Sequence, residues 1–458
     1  MTAFRPSCAI HELGPDFYDA VSAAVFPSAT LRFRNDRAAA AIGLDALTDA
    51  DWLRHFARFE PLPASLGMPL ALRYHGHQFR SYNPDLGDGR GFLFAQAFDD
   101  RDRLLDLGTK GSGQTPWSRA GDGRLTLKGA VREVLATEML AALGLDTSAT
   151  LSVVETGEAL MRGDEPSPTR SAVLVRLSHS HIRYGSFQRL AALGDADGMA
   201  RLTDYVLRHY FGGAGAEPYA QLIDHAVTNA ARQAAGMMAA GFVHGVLNTD
   251  NINITGECFD YGPYRFAAAW DDDFTAAYFD HHGLYSFGRQ PEALQWNVYQ
   301  LARALRLVAP TEALAPALED YPVRYAQALD AALTARLGVV SRGGADRTLG
   351  TALIAALQAS GCDLARFWFD WRGGRLRRAT AAYDAPAFDD FRAAVAAFAP
   401  TTAAAHAYWH DEAPCGLPIA EIEAIWTAIA ERDDWVPFTE KVAAIRRMAA
   451  AMRAQPAD

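Results

Sequence analysis

Up to about residue 188, short apolar runs alternate with turns that contain glycine or proline. The runs have the length of β-strands, and turn residues bound them. A long turn-rich segment, Gly108–Gly123, interrupts this pattern. The sequence predicts strands at Phe92–Phe98, Arg103–Leu107, Leu151–Glu155 and Ala172–Leu177.

Helical spacing of apolar residues occurs once in this first part and dominates afterwards. From Leu125 to Leu143 the apolar residues recur every three to four positions, and Gly144 follows as a natural C-cap. Further helices are predicted at Asp204–Phe211, at Gln221–Ala240 and over most of 293–458. Between them, residues 242–274 alternate short strand-like pieces with turns.

A strand-rich first half and a mainly helical second half predict an α+β fold of two lobes with a cleft between them. We divide the chain into an N-terminal extension (1–67), a strand-rich part (68–188), a second lobe (189–310) and a helical C-terminal region (311–458). The strand-rich part is the expected nucleotide-binding part, for the reasons given below.

Composition narrows the class of protein. The chain has 458 residues, with 43 Lys and Arg against 54 Asp and Glu and a net charge of -11. This charge argues against bulk binding to nucleic acid or to an anionic membrane, and the sequence has no apolar run long enough to span a bilayer. The four cysteines are far apart and form no metal-binding pair, so we expect a reduced, cytoplasmic protein.

The first candidate chemistry is a glycine-rich loop followed by a lysine and a helical glutamate. The loop Leu86–Gly91 contains Arg90 and precedes a predicted strand. Such a loop lets backbone amides approach phosphate, and an arginine adds a bidentate cation. Lys110 follows the next strand, and Glu133 lies on the predicted helix, in the order of a kinase strand lysine and its helix glutamate. Taken singly, an ordinary hairpin and two surface charges are the better explanation of these residues.

A second group of residues is more specific. The segment from His244 to Asn251 is followed by Asp260 in an Asp-Tyr-Gly sequence. It resembles the catalytic and metal loops of kinase-fold enzymes, where an Asn and an Asp bind magnesium through oxygen atoms. The position of the usual kinase base, two residues after the histidine, is Val246, which accepts no proton. The nearest alternative carboxylate is Asp250.

Long segments in this order resemble the selenoprotein O family, a group of pseudokinase-fold proteins that transfer AMP from ATP to protein hydroxyl groups. The resemblance extends over residues 65–305. It rests on the segments Tyr74–Phe79, Leu86–Arg90, Lys110–Arg124, Arg132–Glu133, Val175–Phe187, Gly245–Asn251, Asp260–Pro263, Gln290–Glu292 and Trp296–Asn297.

The resemblance implies a two-lobed protein-kinase-like fold, Mg²⁺ (or Mn²⁺) as cofactor, ATP as co-substrate and proteins with Ser, Thr or Tyr hydroxyls as partners. It implies that Asp250 is the catalytic base, that Glu133 pairs with Lys110, and that Asn251 and Asp260 bind the metal. ATP, flipped relative to its orientation in kinases, would contact Gly87, Gly89, Arg90, Lys110, Asp122, Gly123, Arg176, Arg183 and Asp260.

Two other functions remain open at this point. A phosphotransferase acting on a small molecule or a protein would use the same loops, although Val246 counts against it. A scaffold that binds ATP without turnover would not need the complete set of Lys110, Asn251 and Asp260.

Overall fold

The computed structural model describes residues 3–163, 165–378, 380–401 and 406–453. These residues form a large antiparallel sheet and many helices, in agreement with the predicted α+β class. The strands are Arg5–Ser7 (β1), Tyr18–Ala20 (β2), Thr30–Arg34 (β3), Leu70–Leu72 (β4), Gly76–Gln78 (β5), Ser81–Asn83 (β6), Leu93–Phe98 (β7), Leu104–Lys110 (β8), Leu125–Thr126 (β9), Ala149–Leu160 (β10), Thr169–Ser178 (β11), Phe242–Val243 (β12) and Arg265–Phe266 (β13).

The helices are concentrated in the second half of the chain, as the apolar spacing predicts. They are Asp36–Ala41 (α1), Asp49–Phe56 (α2), Leu127–Ala142 (α3), Tyr184–Leu193 (α4), Ala196–Tyr210 (α5), Pro218–Ala240 (α6), Gln290–Leu305 (α7), Thr311–Glu319 (α8), Tyr321–Leu337 (α9), Gly344–Ser360 (α10), Leu364–Asp370 (α11), Asp389–Val395 (α12), Ile419–Arg432 (α13) and Val436–Arg453 (α14). Within the described ranges, no helix is both long and apolar enough to cross a membrane.

The main sheet has the strand order β2-β4-β7-β8-β11-β10-β3, with β1 paired to β7 and β9 paired to β11. Strands β1, β2 and β3, all within the first 67 residues, therefore lie in the same sheet as the later strands. The apolar pattern does not predict these three strands, because they are short and only partly buried.

The register of β8 against β11 decides which side chains share a face. Gly108 lies opposite Arg176, and Lys110 lies opposite Leu174. Residues two apart on a strand point to the same face, so Lys110 and Arg176 leave the sheet on one side. Val173 and Val175 point to the other side, where they pack in a separate apolar cluster.

Helix α3 covers the face that carries Lys110 and Arg176. It begins two residues later than the spacing predicts, because Leu125 and Thr126 pair with β11 as β9. The Thr126 side chain then accepts a hydrogen bond from Gly129 N at 3.1 Å and caps the helix. This cap fixes the start of the helix and brings Glu133 over the sheet.

The second half of the chain packs around α6, which contacts α7, α8 and α9. The loop between β12 and β13 contacts the segment that leads into β10: Cys258 N donates to the Asp146 carbonyl oxygen at 2.9 Å, and Ser148 N donates to the Cys258 carbonyl oxygen at 3.0 Å. The last two helices, α13 and α14, pack against α3, although they follow it by almost 300 residues in the sequence.

Candidate active site

A cavity of about 800 Å³ lies between the sheet and the loops that follow β12. Its walls come from segments far apart in sequence: the glycine loop before β7, the end of β8, the turn-rich segment after it, β11 and the loops at 246–251 and 260–263. Of the residues predicted from the sequence, the lining contains Gly87, Gly89, Arg90, Lys110, Asp122, Gly123, Arg176, Arg183, Asp250, Asn251 and Asp260.

Glu133, the remaining predicted residue, lies directly behind the cavity wall. Its Oε2 accepts a hydrogen bond from Lys110 Nζ at 2.5 Å, and its Oε1 accepts one from Arg176 Nη2 at 2.8 Å. Only 1% of Glu133 is exposed. Burial alone would raise the pKa of this carboxyl group, but Lys110 and Arg176 outweigh burial and hold the pKa below its usual value.

Asp260 is surrounded by cations. Its Oδ1 lies 2.7 Å from Arg176 Nη2 and 3.2 Å from Lys110 Nζ, and its Oδ2 lies 2.7 Å from Arg183 Nη1. Although burial opposes ionisation, these three cations hold the pKa of Asp260 well below its usual value. Asp260 is therefore a carboxylate at every physiological pH.

Lys110 is the cation most affected by burial. Burial lowers the pKa of its ammonium group below the usual value, and Glu133 and Asp260 act in the opposite direction. The two carboxylates therefore counteract the penalty of burying this charge, which would otherwise favour neutral lysine.

Arg183 connects the two loops that the sequence pairs as catalytic and metal loops. Its Nη1 donates hydrogen bonds both to the Asp250 carbonyl oxygen, at 2.8 Å, and to Asp260. Its Nη2 lies 3.4 Å from Asp88 Oδ1. One guanidinium group therefore fixes the distance between Asp250, Asp260 and the glycine loop.

Asp250 differs from Asp260 in its surroundings. Burial raises the pKa of the Asp250 carboxyl to about 6, although Arg183 opposes the shift. Its Oδ1 is buried and has no hydrogen-bond partner among the described residues. Gly76 on β5 packs directly against it, since a Cβ at that position would lie 3.0 Å from the Asp250 Cβ. This contact gives a packing reason for the glycine between the two histidines of Tyr74–Phe79.

The two polar groups of the Asn251 side-chain amide differ: within the described residues, only its nitrogen forms a hydrogen bond. Its Nδ2 donates to the Val246 carbonyl oxygen at 3.0 Å, which leaves the amide oxygen for another ligand. Val246, the residue at the motif position where kinases have their base, lines the cavity with an apolar side chain.

Besides lining the cavity, the glycine loop packs against Trp117 so closely that Gly87 and Gly89 leave no room for a Cβ. A Cβ on Gly87 would overlap the Trp117 ring, and one on Gly89 would lie 2.8 Å from the Trp117 carbonyl oxygen. These glycines therefore allow the turn-rich segment after β8 to lie against the loop. Arg90 lines the cavity and forms no ion pair within the described part of the chain.

Asp122 and Gly123 lie at the rim. Both carboxylate oxygens of Asp122 accept hydrogen bonds from Arg162, at 2.8 and 3.1 Å, and its side chain is about half exposed at 49%. Gly123 has a φ of +68° and contacts Gly113, so the turn needs a residue without a Cβ there.

Several lining residues were not proposed as site residues from the sequence, among them Asp88, Trp117 and His181. Asp88 is a buried carboxyl group whose pKa is raised by burial, with Arg183 opposing, and it accepts a hydrogen bond from Leu72 N at 3.0 Å. Asp88 could have been predicted as a site residue from the sequence, because it is a charged residue between the two glycines of the glycine loop. Trp117 and His181 carried no comparable signal.

Comparison with known proteins connects this geometry to a family. The family model for the protein adenylyltransferase SelO matches residues 2–384. The protein nucleotidyltransferase YdiU of Gloeobacter violaceus is 44% identical over 462 residues, which cover 96% of this chain and 94% of the relative. YdiU of Synechocystis sp. is 50% identical over 340 residues (73% and 70%), and YdiU of Bradyrhizobium sp. is 37% identical over 393 residues (81% and 79%). The chain belongs to the family of the protein adenylyltransferase SelO, and thus to the nucleotidyltransferases.

Proposed function

We propose that this protein transfers AMP from ATP to a Ser, Thr or Tyr hydroxyl group of another protein and releases pyrophosphate. The observation that carries the proposal is the pairing, in one cavity, of a cation cluster with a separate carboxyl group of raised pKa. Lys110, Arg176 and Arg183 form the cluster, and Asp250 is the carboxyl group. We infer that the sheet and the helical part correspond to the two lobes of a kinase-like fold.

In this reaction the acceptor oxygen attacks the α-phosphorus of ATP. A new phosphorus–oxygen bond forms, the bond between the α-phosphorus and the bridging oxygen breaks, and pyrophosphate leaves with the electron pair. The hydroxyl proton passes to the Asp250 carboxylate. A base with a pKa of about 6 is mostly ionised at pH 7 and still accepts a proton readily.

The cations would stabilise charge on the phosphates. Arg90, Lys110, Arg176 and Arg183 all line the cavity, and Arg90 has no carboxylate partner among the described residues. Preorganised cations of this kind stabilise a transition state because they need no reorientation as charge develops. Glu133 holds Lys110 and Arg176 from behind and does not itself face the cavity.

The residues present fit a divalent cation such as Mg²⁺ or Mn²⁺. The amide oxygen of Asn251 accepts no hydrogen bond from the residues that the structure describes, and Asp260 is held as a carboxylate, so the pair supplies the hard oxygen ligands that these ions prefer. No group of three or more His, Cys, Asp or Glu side chains suited to a metal occurs in the described ranges, so Asn251 and Asp260 are the residues that would hold the ion. A bound ion would offset phosphate charge, while Asn251 and Asp260 orient it.

Differently labelled ATP tests the proposal. The protein is incubated with Mg²⁺, a cell extract as acceptor and ATP labelled at either the α- or the γ-phosphate, beside an Asp260→Ala variant. We expect protein-bound label from the α position only, and none with the variant. Digestion and mass spectrometry of the product would then identify the modified hydroxyl.

Two other outcomes would each favour another function. Label from the γ position alone would indicate a phosphotransferase and would rule out AMP transfer. ATP binding without transfer of either label would indicate a nucleotide-binding scaffold.

A further inference from the structure

Helix α3 is buried on nearly all sides. Every residue from Glu133 to Leu140 is buried, whereas a surface helix has one polar face. One side packs on β10 and β11, and the other side packs on α14. The apolar side chains Val442, Ile445 and Met448 of α14 belong to the same core cluster as Val131 and Leu135 of α3.

Polar contacts fix α3 against α14 as well. Glu138 accepts two hydrogen bonds from Arg446, one from Nε at 2.9 Å and one from Nη2 at 2.6 Å. Arg37 Nη2 donates to the same carboxylate at 3.1 Å, and Asn35 Nδ2 lies 3.4 Å from it. In this bidentate pair the Glu138 side chain is buried and that of Arg446 is 29% exposed, and the paired geometry defines position more sharply than apolar contact does.

Contacts near the two ends of α3 also come from the C-terminal helix pair, α13 and α14. Lys128 Nζ donates to Glu423 Oε2 on α13 at 2.7 Å. Arg453 Nη2 donates to the Ala141 carbonyl oxygen at 3.2 Å, in the last turn of α3, where a cation is favourable. The C-terminal helix pair therefore holds α3 near its start, in its middle and near its end.

The helix pair is itself attached to the sheet. Asp433, between α13 and α14, lies 2.7 Å from Arg170 on β11 and 3.1 Å from Arg32 on β3. The Arg170 guanidinium also donates to the Ile429 carbonyl oxygen at 3.0 Å. Each of the three elements, the sheet, α3 and the helix pair, thus contacts the other two. Helix α3 is therefore held by the sheet on one side and by the helix pair on the other.

Glu133 and Glu138 face different partners on this one helix. Five positions along a helix correspond to about 140° of rotation and about 7.5 Å of rise. Glu138 therefore contacts α14, while Glu133 contacts Lys110 and Arg176 at the cavity. A shift of α3 by about 1 Å away from the sheet would lengthen the 2.5 Å hydrogen bond between Glu133 and Lys110 beyond the usual hydrogen-bond range and weaken it.

We propose that the C-terminal helix pair is a positioning element of the nucleotide site: Arg446, through Glu138, holds α3 where Glu133 aligns Lys110 and Arg176. This inference rests on the proposed function wherever AMP transfer is the readout. It assigns a role to a helix pair whose described residues do not line the cavity.

A double-mutant cycle tests it. Arg446→Ala, Glu133→Gln and the double variant are compared for the kcat/KM of AMP transfer, and for the Kd of ATP by titration calorimetry. We expect Arg446→Ala alone to lower kcat/KM between about twofold and thirtyfold, the usual range for residues that act through another element. In the Glu133→Gln background the same change should cost less than about twofold, because the contact it supports is already lost.

Two variants serve as controls. Arg447→Ala changes the neighbouring residue on α14, whose partner is the surface residue Asp411, and it should leave kcat/KM within about twofold of wild type in both backgrounds. Arg446→Lys keeps the charge and should restore part of the lost activity. If Arg446→Ala does not yield folded protein, Glu423→Ala replaces it, since that side chain is 46% exposed.

The outcomes separate cleanly. Equal losses in the two backgrounds, or a lowered Tm with unchanged kcat/KM and ATP affinity, would overturn the positioning role. A wild type that binds ATP without transferring AMP would contradict the proposed function alone. In that case the double-mutant cycle, measured by the Kd of ATP, would still show whether Arg446 acts through Glu133.

Discussion

Asp250 and Asp260 line the same cavity, but their surroundings act on the two carboxyl groups in opposite directions. Arg176, Lys110 and Arg183 surround Asp260 and hold its pKa far below the usual value. Asp250 lies against Gly76, has one oxygen without a partner among the described residues, and has its pKa raised by burial to about 6. Environments that separate the pKa values of neighbouring acids are a common way to divide chemical roles. In the function proposed above, Asp260 organises charge and Asp250 takes the proton, and the opposite pKa shifts of the two groups support this division.

Replacing Asp260 should have the largest effect. Asp260→Asn leaves Arg176, Lys110 and Arg183 without a shared carboxylate, so we expect AMP transfer to fall on the order of 10⁴-fold or more. Because the buried cations lose a partner, the free energy of unfolding should also fall by about 3 to 5 kcal/mol. Transfer of α-label and urea unfolding measure the two quantities. Unchanged stability would mean that the cations do not depend on Asp260.

Replacing Asp250 should affect the chemical step and spare binding. Asp250→Asn removes the proton acceptor, and we expect kcat to fall by about 10²- to 10⁴-fold, the usual contribution of a general base. The Kd of ATP, measured by titration calorimetry, should change little. A large loss of ATP affinity together with an unchanged kcat would assign Asp250 to nucleotide binding instead.

The pH dependence of transfer should follow Asp250 and not Asp260. Since the carboxylate accepts the proton, activity should rise about tenfold between pH 5 and pH 7 with an apparent pKa of about 6. Single-turnover rates over this range measure the profile. In Asp250→Asn the residual rate should not show this rise between pH 5 and pH 7. A rise that persists in the variant would belong to the titration of another group.

The smallest expected effect is on stability, and its sign distinguishes the two acids. A folded pKa above the unfolded value means that Asp250 binds its proton more tightly in the folded state, so its contribution to stability falls as the pH rises from about 4 through 6. Asp250→Asn should therefore raise the free energy of unfolding at pH 8 by about 1 to 3 kcal/mol. Urea unfolding of wild type and variant at pH 4 and pH 8 checks the sign, and a destabilised variant at pH 8 would contradict it.

Part of this arrangement was predictable from the chain. Periodicity predicts α3, β7, β8 and β11, and the order of Lys110, Glu133 and Asp260 predicts that they meet. Motifs of this kind specify residue types at fixed spacing. They therefore identify the members of the site without giving its electrostatics.

What the sequence could not predict depends on contacts between distant segments. The raised pKa of Asp250 depends on burial against the β5–β6 hairpin, and the position of α3 depends on α14. Strands β1, β2 and β3 are three to five residues long and lie in the sheet through pairing with distant strands: β1 pairs with β7, β3 with β10, and β2 with the equally short β4. Local propensity contains little information on any of these.

The contact between Glu138 and Arg446 also has a consequence for synthesis. The two residues are 308 positions apart, so a ribosome adding about 5 to 20 residues each second makes α14 some 15 to 60 seconds after α3. During that interval the outer apolar face of α3 lacks its cover, and the helix that carries Glu133 lacks half of its support. We therefore expect the uncovered face to favour aggregation of the nascent chain. If Arg446 positions α3 as proposed, the nucleotide site is completed only after translation has passed this residue.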